Sequence, residues 1–416
     1  MSSTTRPAGP LQGFTLLSCI TLAVMGALLI VPVIPQMMKA FKGTPNLPYW
    51  IGMVITIPSL CVAILSPVWG WLGDRVGRRK LLIPVMGLYS LCGLAPFFLH
   101  DLTQILISRI GVGITEAAAM TLSTTMIGDL FSGSSRDKWL AGQTATASTS
   151  AVVFLIIGGL AGRYGWQGPF IVYLFPLVLM FALMGFTWET GNAKDHAPEP
   201  PHMFAAPEPD STPVVAPATS GGKVRFPYAF IAGVCAITLV ASLMFYTVQI
   251  QLSVALDALG IKDPAEIGLL TAVASLAVPV GTFVFWLVSK RLGIPVLLMV
   301  EFALMGGAYI AMSKTGDYRY FVAFAAVSQI GAGMILPTLL TWAMSRLAFE
   351  VRGAGTGVWQ STFALGQFVV GLLVPFIASQ VGGIIPAFTV LGGISLVAAV
   401  FALIGAVTVR KKLQAA

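Results

Sequence analysis

The chain has 416 residues, of which 56% are hydrophobic and 10% charged; soluble domains carry about 25% charged residues. So much apolar surface excludes a water-soluble globular fold and requires lipid as solvent. The formal net charge of +8 sits in short basic clusters between apolar runs, so it marks topology and excludes a nucleic-acid partner.

A spanning helix needs roughly 20 apolar residues. The first such run, 13–35, is uncharged and too long for the apolar core of a signal peptide, so it reads as a span. Further runs follow at 49–72, 81–99, 102–130, 139–162 and 169–188. Segment 189–226 interrupts the series. It holds seven prolines from Pro198 to Pro217 among Glu, Asp, Ser and Lys, and reads as a flexible cytoplasmic tether that packs no core. Six more runs lie at 228–256, 267–288, 294–312, 321–347, 354–381 and 384–409. The expected organisation is therefore a six-helix bundle at 1–188, a linker at 189–226 and a second bundle at 227–416.

With the N-terminus in the cytoplasm, 17 of the 24 Lys and Arg fall on the inside and six on the outside, and Arg109 lies within a span. That bias predicts a multi-pass inner (plasma) membrane protein with both termini cytoplasmic. Cys19, Cys61, Cys92 and Cys235 all fall inside apolar runs without paired spacing. They predict neither disulfides nor a metal site, and no cofactor is expected. Metalloprotease, nucleophile-elbow and phosphate-loop motifs are absent, which argues against an enzyme.

The two halves repeat. Ser108-Arg-Ile-Gly-Val-Gly113 in the fourth span matches Ser328-Gln-Ile-Gly-Ala-Gly333 in the tenth, 220 residues later. Asp74-Arg-Val-Gly77 after the second span faces Lys290-Arg-Leu-Gly293 after the eighth. Parallel repeats of this kind place a substrate site near the midplane between the halves.

The loop Gly70-Trp-Leu-Gly-Asp74-Arg75-Val-Gly77-Arg78-Arg79-Lys80 resembles the signature loop of the major facilitator superfamily. Arg109-x-x-x-Gly113 resembles that family's second motif, and Arg352-Gly353 with Gly357 and Gly366-Gln367 is similar to its eleventh span. The resemblance implies an all-α, twelve-helix fold in two six-helix bundles related by a pseudo-twofold axis. It also implies a secondary transporter of the drug:proton-antiporter kind, with a small organic substrate, protons and the bilayer as partners, as a monomer. In the family this loop latches the two halves together. Gly70, Asp74, Arg75, Gly77 and Arg78 inherit that role, with Asp129 expected to pair with Arg75 or Arg78, and Arg136 close by. Gly70 and Gly77 are expected to let backbones approach closely.

Charges inside a span are expensive and default to function. Arg109 and Glu116 are seven residues apart, nearly two helical turns, so they share one helix face. The family gives the motif arginine a part in proton coupling, which Arg109 would inherit, and Glu116 is the natural proton carrier. Arg109 as a brace for neighbouring carbonyls, with Glu116 only neutralising it, is the bland alternative. Gln329 and Leu336 stand at the matching positions of the repeat. Glu301 in the ninth span is expected to snorkel toward the lipid interface. Phe245, Tyr246, Gln249 and Gln251, with Gln329, Trp342, Trp359 and Gln360, are candidates to line a cavity.

Two departures stand out. Phe154-Leu155 replaces the Gly-Pro that exporters carry ahead of Gly158-Gly159, and the first span lacks an acidic residue. Glu116-Ala117 is similar to a pattern of spinster-type lipid transporters and organic-anion symporters. Export of a hydrophobic or amphipathic compound is the preferred expectation, with acid uptake or lipid transport as alternatives.

Overall fold

The computed structural model of the chain describes residues 9–189, 226–347 and 349–414, without the side chains of 137, 349–350, 352–354 and 408–414. The tether expected at 189–226 falls outside the described residues except for its two edges, and so do the Arg352 and Gly353 side chains. Among the described residues there are helices and no strands. In hydrocarbon a backbone has no water to bond, and a helix satisfies every N–H and C=O within its own segment.

Among the described residues, twelve helices are long and apolar enough to cross a membrane. They are Pro10–Ala40, Leu47–Val76, Arg78–Phe97, Leu102–Leu130, Gly133–Tyr164 and Gly168–Phe186, then Tyr228–Ala258, Pro264–Val288, Ile294–Lys314, Tyr318–Met344, Gly355–Val381 and Ile384–Val407. They are numbered below as spans one to twelve. Several continue past the apolar window into polar residues; the helix holding the eleventh span starts at Phe349. The apolar windows of spans one, four and ten are the most buried at 78, 61 and 61%, against 22% in span twelve. The first three therefore line the centre, and span twelve turns Val397, Val400 and Phe401 outward.

The helical bonding of the spans is interrupted where proline removes a donor. Span one breaks into a 3-10 turn at Val31–Val33, between Leu28 and Ile34, because Pro32 and Pro35 cannot give N–H groups to the preceding turn. Pro58 lies inside span two and Pro337 inside span ten. Each leaves the carbonyl four residues earlier, at Val54 and Gly333, without its helical partner.

The repeat is visible in atoms as well as in letters. A Cβ on Gly113 would sit 2.6 Å from the Pro58 Cα, and one on Gly333 would collide with the Val278 carbonyl, 2.9 Å from its carbon, so both glycines are required for helix contact. Tyr89 and Tyr309 are both fully buried. Tyr89 donates its hydroxyl to the Leu22 carbonyl in span one at 2.7 Å, and Tyr309 donates to the Met244 carbonyl in span seven. Positions 58 and 278, 89 and 309, and 113 and 333 all differ by 220.

The halves meet through backbone. A Cβ on Gly52 in span two would lie 2.8 Å from the Gly371 carbonyl carbon in span eleven, and one on Gly159 in span five would lie 3.1 Å from the Gly268 Cα in span eight. Thr56 Oγ1 donates to the Phe368 carbonyl at 3.3 Å. Lys39 pairs with Asp257 at 3.1 Å and Arg163 with Asp263 at 2.6 Å. These contacts all lie at one end of the bundle, opposite the loop that carries Asp74.

Candidate functional site

At the Asp74 end, span two runs into span three through Gly77 at φ 108. That left-handed backbone explains the glycine better than the close approach expected for it. Gly70 does not need to be glycine for packing either, since an added Cβ would rest 3.7 Å from Thr121. The tight position is Gly73, where a Cβ would meet Leu122 at 2.6 Å. Arg78 is the hub of the loop. It donates to Asp74 at 2.7 Å, to Asp129 and to the Thr125 carbonyl at 3.3 Å. Arg75 lies over the Trp71 ring at 4.0 Å instead, and Arg136 makes no ion pair among the described residues. Glu189 accepts from the backbone N–H groups of Arg79 and Lys80 at 3.3 and 3.1 Å, at the N-terminus of span three, where a carboxylate is favoured.

The midplane centre is built around span four. Arg109 is fully buried, and its guanidinium reaches three other spans. Nε donates to the Val54 carbonyl at 3.0 Å, Nη1 to the Tyr173 hydroxyl at 2.6 Å, and Nη2 to the Gly26 carbonyl. Val54 is the carbonyl that Pro58 deprives of its helical donor, and Gly26 precedes the break in span one. A planar fork with five donors suits such divergent acceptors. Arg109 and Glu116 share a face but form no salt bridge: no contact within 4.0 Å joins them among the described residues. The structure therefore shows Arg109 bracing two proline-interrupted helices.

Glu116, one face along the same helix, is 5% exposed, and its Oε2 has no hydrogen-bond partner. Gly26 leaves the space for this carboxyl, because a Cβ there would collide with it and come within 3.2 Å of the Tyr89 hydroxyl. Tyr246, from span seven of the other half, lies within electrostatic range of Glu116. Tyr246 packs on Phe363 with centroids 5.5 Å apart, and Phe363 on Trp359 at 6.0 Å. Gln249 Nε2 donates weakly to Gln329 Oε1 at 3.4 Å. Gln249 Oε1, Gln329 Nε2 and Trp359 Nε1 are buried without partners. Gln360 is exposed, on the helix face it shares with Gly371, which faces the first half. Phe245 and Gln251 are buried in span seven.

Trp342 does not join this group. It packs edge-on against Phe230 at 6.1 Å, thirteen residues and roughly 20 Å along the helix from Gln329. Glu301 also departs from expectation. It does not snorkel: it is fully buried, with Oε1 2.5 Å from the Thr338 hydroxyl in span ten. Sequence reasoning missed Tyr89 and Tyr309 as helix ties, although both fall on the 220-residue offset. It also took Lys39, Arg163 and Lys262 only as topology marks. Lys262 and Lys39 both reach Asp257, each at 3.1 Å. The hydrogen bond from Arg163 holds the Asp263 carboxyl below its ordinary range. No group of three or more His, Cys, Asp or Glu able to hold a metal occurs among the described residues.

The family model of the Major Facilitator Superfamily matches residues 16–261 and 234–415. The chain belongs to the Major Facilitator Superfamily. It is thus a multi-pass membrane protein of a transporter family, not an enzyme. Within the superfamily it is 31% identical over 173 residues to the tetracycline resistance protein, class B, of Escherichia coli, covering 41% of this chain and 43% of that one. It is 33% identical over 154 residues to the bacillibactin exporter of Bacillus subtilis (strain 168), covering 35% and 37%. These alignments span less than half of the relatives' length. By fold it is similar to a bacterial homolog of the human lysosomal transporter Spinster, in an inward-facing and unoccupied conformation. There the TM-score is 0.73 at 16% identity, over 97% of this chain and 96% of that one. It is also similar to a D-xylose-proton symporter, with a TM-score of 0.73 at 14% identity over 94% and 96%.

Proposed function

We propose that this protein exports a small hydrophobic or amphipathic organic compound in exchange for protons, by alternating access between its halves. Glu116 carries the reading: a buried carboxyl, free of any ion pair, stands at the centre of the first half and within range of Tyr246 in the second. Such a group gains or loses a proton with a small change of surroundings. A tetracycline resistance protein and a bacillibactin exporter among the similar sequences support export over uptake. Tyr246, Gln249, Gln329, Trp359 and Gln360 are the residues assigned to the substrate, and Arg109 acts by positioning spans one and two beside Glu116.

Both termini are assigned to the cytoplasm on the basic-residue bias. On that orientation the backbone seal at Gly52–Gly371 and Gly159–Gly268 closes the outside, and the structure is the inward-facing state. The halves 1–188 and 227–416 move about this seal, with 189–226 as their tether. Asp74, Arg78 and Asp129 form the part of the inner latch that belongs to the first half.

The test is transport in proteoliposomes under pH gradients of each sign, with tetracycline as the first probe and a panel of amphipathic dyes after it. Glu116→Gln keeps the shape but cannot titrate. It is expected to abolish pH-driven accumulation while retaining binding. A Glu116→Gln protein that still concentrates the probe against a gradient removes Glu116 from the mechanism.

A further inference from the structure

Glu301 is a second buried carboxyl, and nothing in the function proposed above uses it. It lies in span nine, which packs on spans ten and twelve. Its Oε1 is 2.5 Å from Thr338 Oγ1, and its Oε2 is buried with no hydrogen-bond partner. No charged group faces it from any packed element. On its own helix, Lys314 is thirteen residues away, roughly 20 Å, and the Tyr309 hydroxyl is committed to Met244. On span ten, Arg319 begins the helix nineteen residues before Thr338. Arg346 lies beyond its far end, over the Phe230 ring. On span twelve, Ser395 gives its hydroxyl to the Phe302 carbonyl at 2.7 Å, which sets the level of Glu301. The basic residues Arg410, Lys411 and Lys412 are fifteen or more positions further along.

Counting protons decides the ionisation. The Thr338 hydroxyl has one proton, and two oxygens stand within bonding distance of it: Glu301 Oε1 at 2.5 Å and the Met334 carbonyl at 3.0 Å. The carbonyl brings no proton. Both links are made as full, unshared hydrogen bonds only if Glu301 donates to Thr338 and Thr338 donates to Met334. The ionised alternative leaves one link unmade and strands an uncompensated charge among apolar helices, which is strongly unfavourable.

From this geometry we propose that Glu301 holds a proton in this conformation and is a second proton-binding site, in the half where Leu336 replaces Glu116. The proton sits on the carboxyl oxygen that faces Thr338. Thr338 directly follows Pro337, whose missing N–H leaves the Gly333 carbonyl to be bonded from span eight by Thr282 Oγ1 at 3.1 Å. Span ten therefore has a break in its bonding at the residue that separates Thr338 from Gly333 and its contact with span eight, the place where such a helix can bend. Bending there lengthens the Glu301–Thr338 link and frees the proton when the halves change state. Release during transport rests on the proton-coupled reading above; the protonated carboxyl does not.

Two measurements on the full-length protein in lipid nanodiscs test this without a substrate. Infrared spectroscopy at neutral pH is expected to show the carbonyl stretch of a protonated carboxyl that Glu301→Gln removes, Glu116→Gln retains and Thr338→Val shifts. If Glu301→Gln does not fold, Glu301→Asp takes its place and is expected to shift the band. A spectrum with no carboxyl component that Glu301→Gln removes and Glu116→Gln retains overturns the protonated state. Second, spin-label distances across the halves give the conformational equilibrium against pH, whose slope counts the protons linked to the change. One proton changes that ratio about tenfold per pH unit. Glu301→Gln is expected to lower the slope by one proton. A slope unchanged by Glu301→Gln overturns the release step, even where the band is present. Loss of pH-driven transport in Glu116→Gln is read separately, so failure of either proposal is recognisable.

Discussion

Arg109 offers the sharpest check on the midplane architecture. Its guanidinium satisfies the Gly26 and Val54 carbonyls and bonds the Tyr173 hydroxyl, in a site with no exposure. Hydrogen bonds between membrane helices average about 0.6 kcal/mol and reach about 1.7. Removing all three in Arg109→Ala is therefore expected to cost about 2–5 kcal/mol. Arg109→Lys is the informative variant, because it keeps the charge while a compact ammonium cannot reach acceptors on divergent helices. It is expected to keep one bond and lose two, about 1–3 kcal/mol. Tyr173→Phe removes a single bond and sets the lower bound, at about 0.6 kcal/mol. Equilibrium unfolding in mixed SDS micelles reads all three. If Arg109→Lys matches wild type while Arg109→Ala falls by several kcal/mol, charge alone matters and the bracing argument is wrong.

Other perturbations address the two ends. Gly52→Leu puts a side chain against the Gly371 backbone, where even a Cβ lies 2.8 Å from the carbonyl carbon. It is expected to hold the seal open and shorten the lifetime of the present state, read by spin-label distances between Tyr164 and Gln380; an unchanged distance distribution refutes this. The Arg163–Asp263 bridge depends on a carboxyl whose pKa is lowered by that arginine. Its contribution is complete above the ordinary carboxylate range, near pH 3.9, and is lost as pH falls through the depressed value. The same labels are thus expected to show no change from this bridge between pH 5 and 8, with Asp263→Asn reproducing the acid state at neutral pH. Asp74→Asn leaves Arg78 its bond to Asp129, so inserted protein is expected to stay near wild type while turnover in proteoliposomes slows. Turnover at the wild-type rate excludes the latch role.

Much of the fold was legible because a spanning helix declares itself through one long apolar run. The twelve runs and the 220-residue offset needed no tertiary information. The site was legible only in part. Span four displayed Arg109 and Glu116 as expensive intramembrane charges, but their partners come from spans one, two, three, six and seven, and no local spacing encodes them. Seven-residue spacing places two side chains on one face without joining them; the carbonyls orphaned at Gly26 and Val54 outcompete Glu116 for the guanidinium. Pro58 was the available clue, since it leaves the Val54 carbonyl in need of a donor; no proline marks Gly26, whose carbonyl lies at the end of the first helical segment of span one. Glu301 was misjudged because a carboxyl was assumed to seek water. Thr338, 37 residues further on, offered it a partner inside. The end-sealing salt bridges join charges that the topology sort counted individually, and pairing across the halves only appears once they are docked.

The seal combines a glycine seam with the Lys39–Asp257 and Arg163–Asp263 bridges at its rim. At Gly52–Gly371 and Gly159–Gly268 backbone rests on backbone, within reach of weak Cα–H···O contacts, with few side chains to interdigitate or unlock. Parting such a seam requires no rotamer to turn. It also leaves the aromatic and amide side chains of the midplane outside the closure. On the substrate assignment proposed above, mutations at Tyr246, Gln249, Trp359 or Gln360 are expected to redraw the range of compounds accepted without disturbing how the protein shuts. Under that assignment, selectivity and closure are separable properties of one scaffold, the first carried by side chains and the second by glycine backbone.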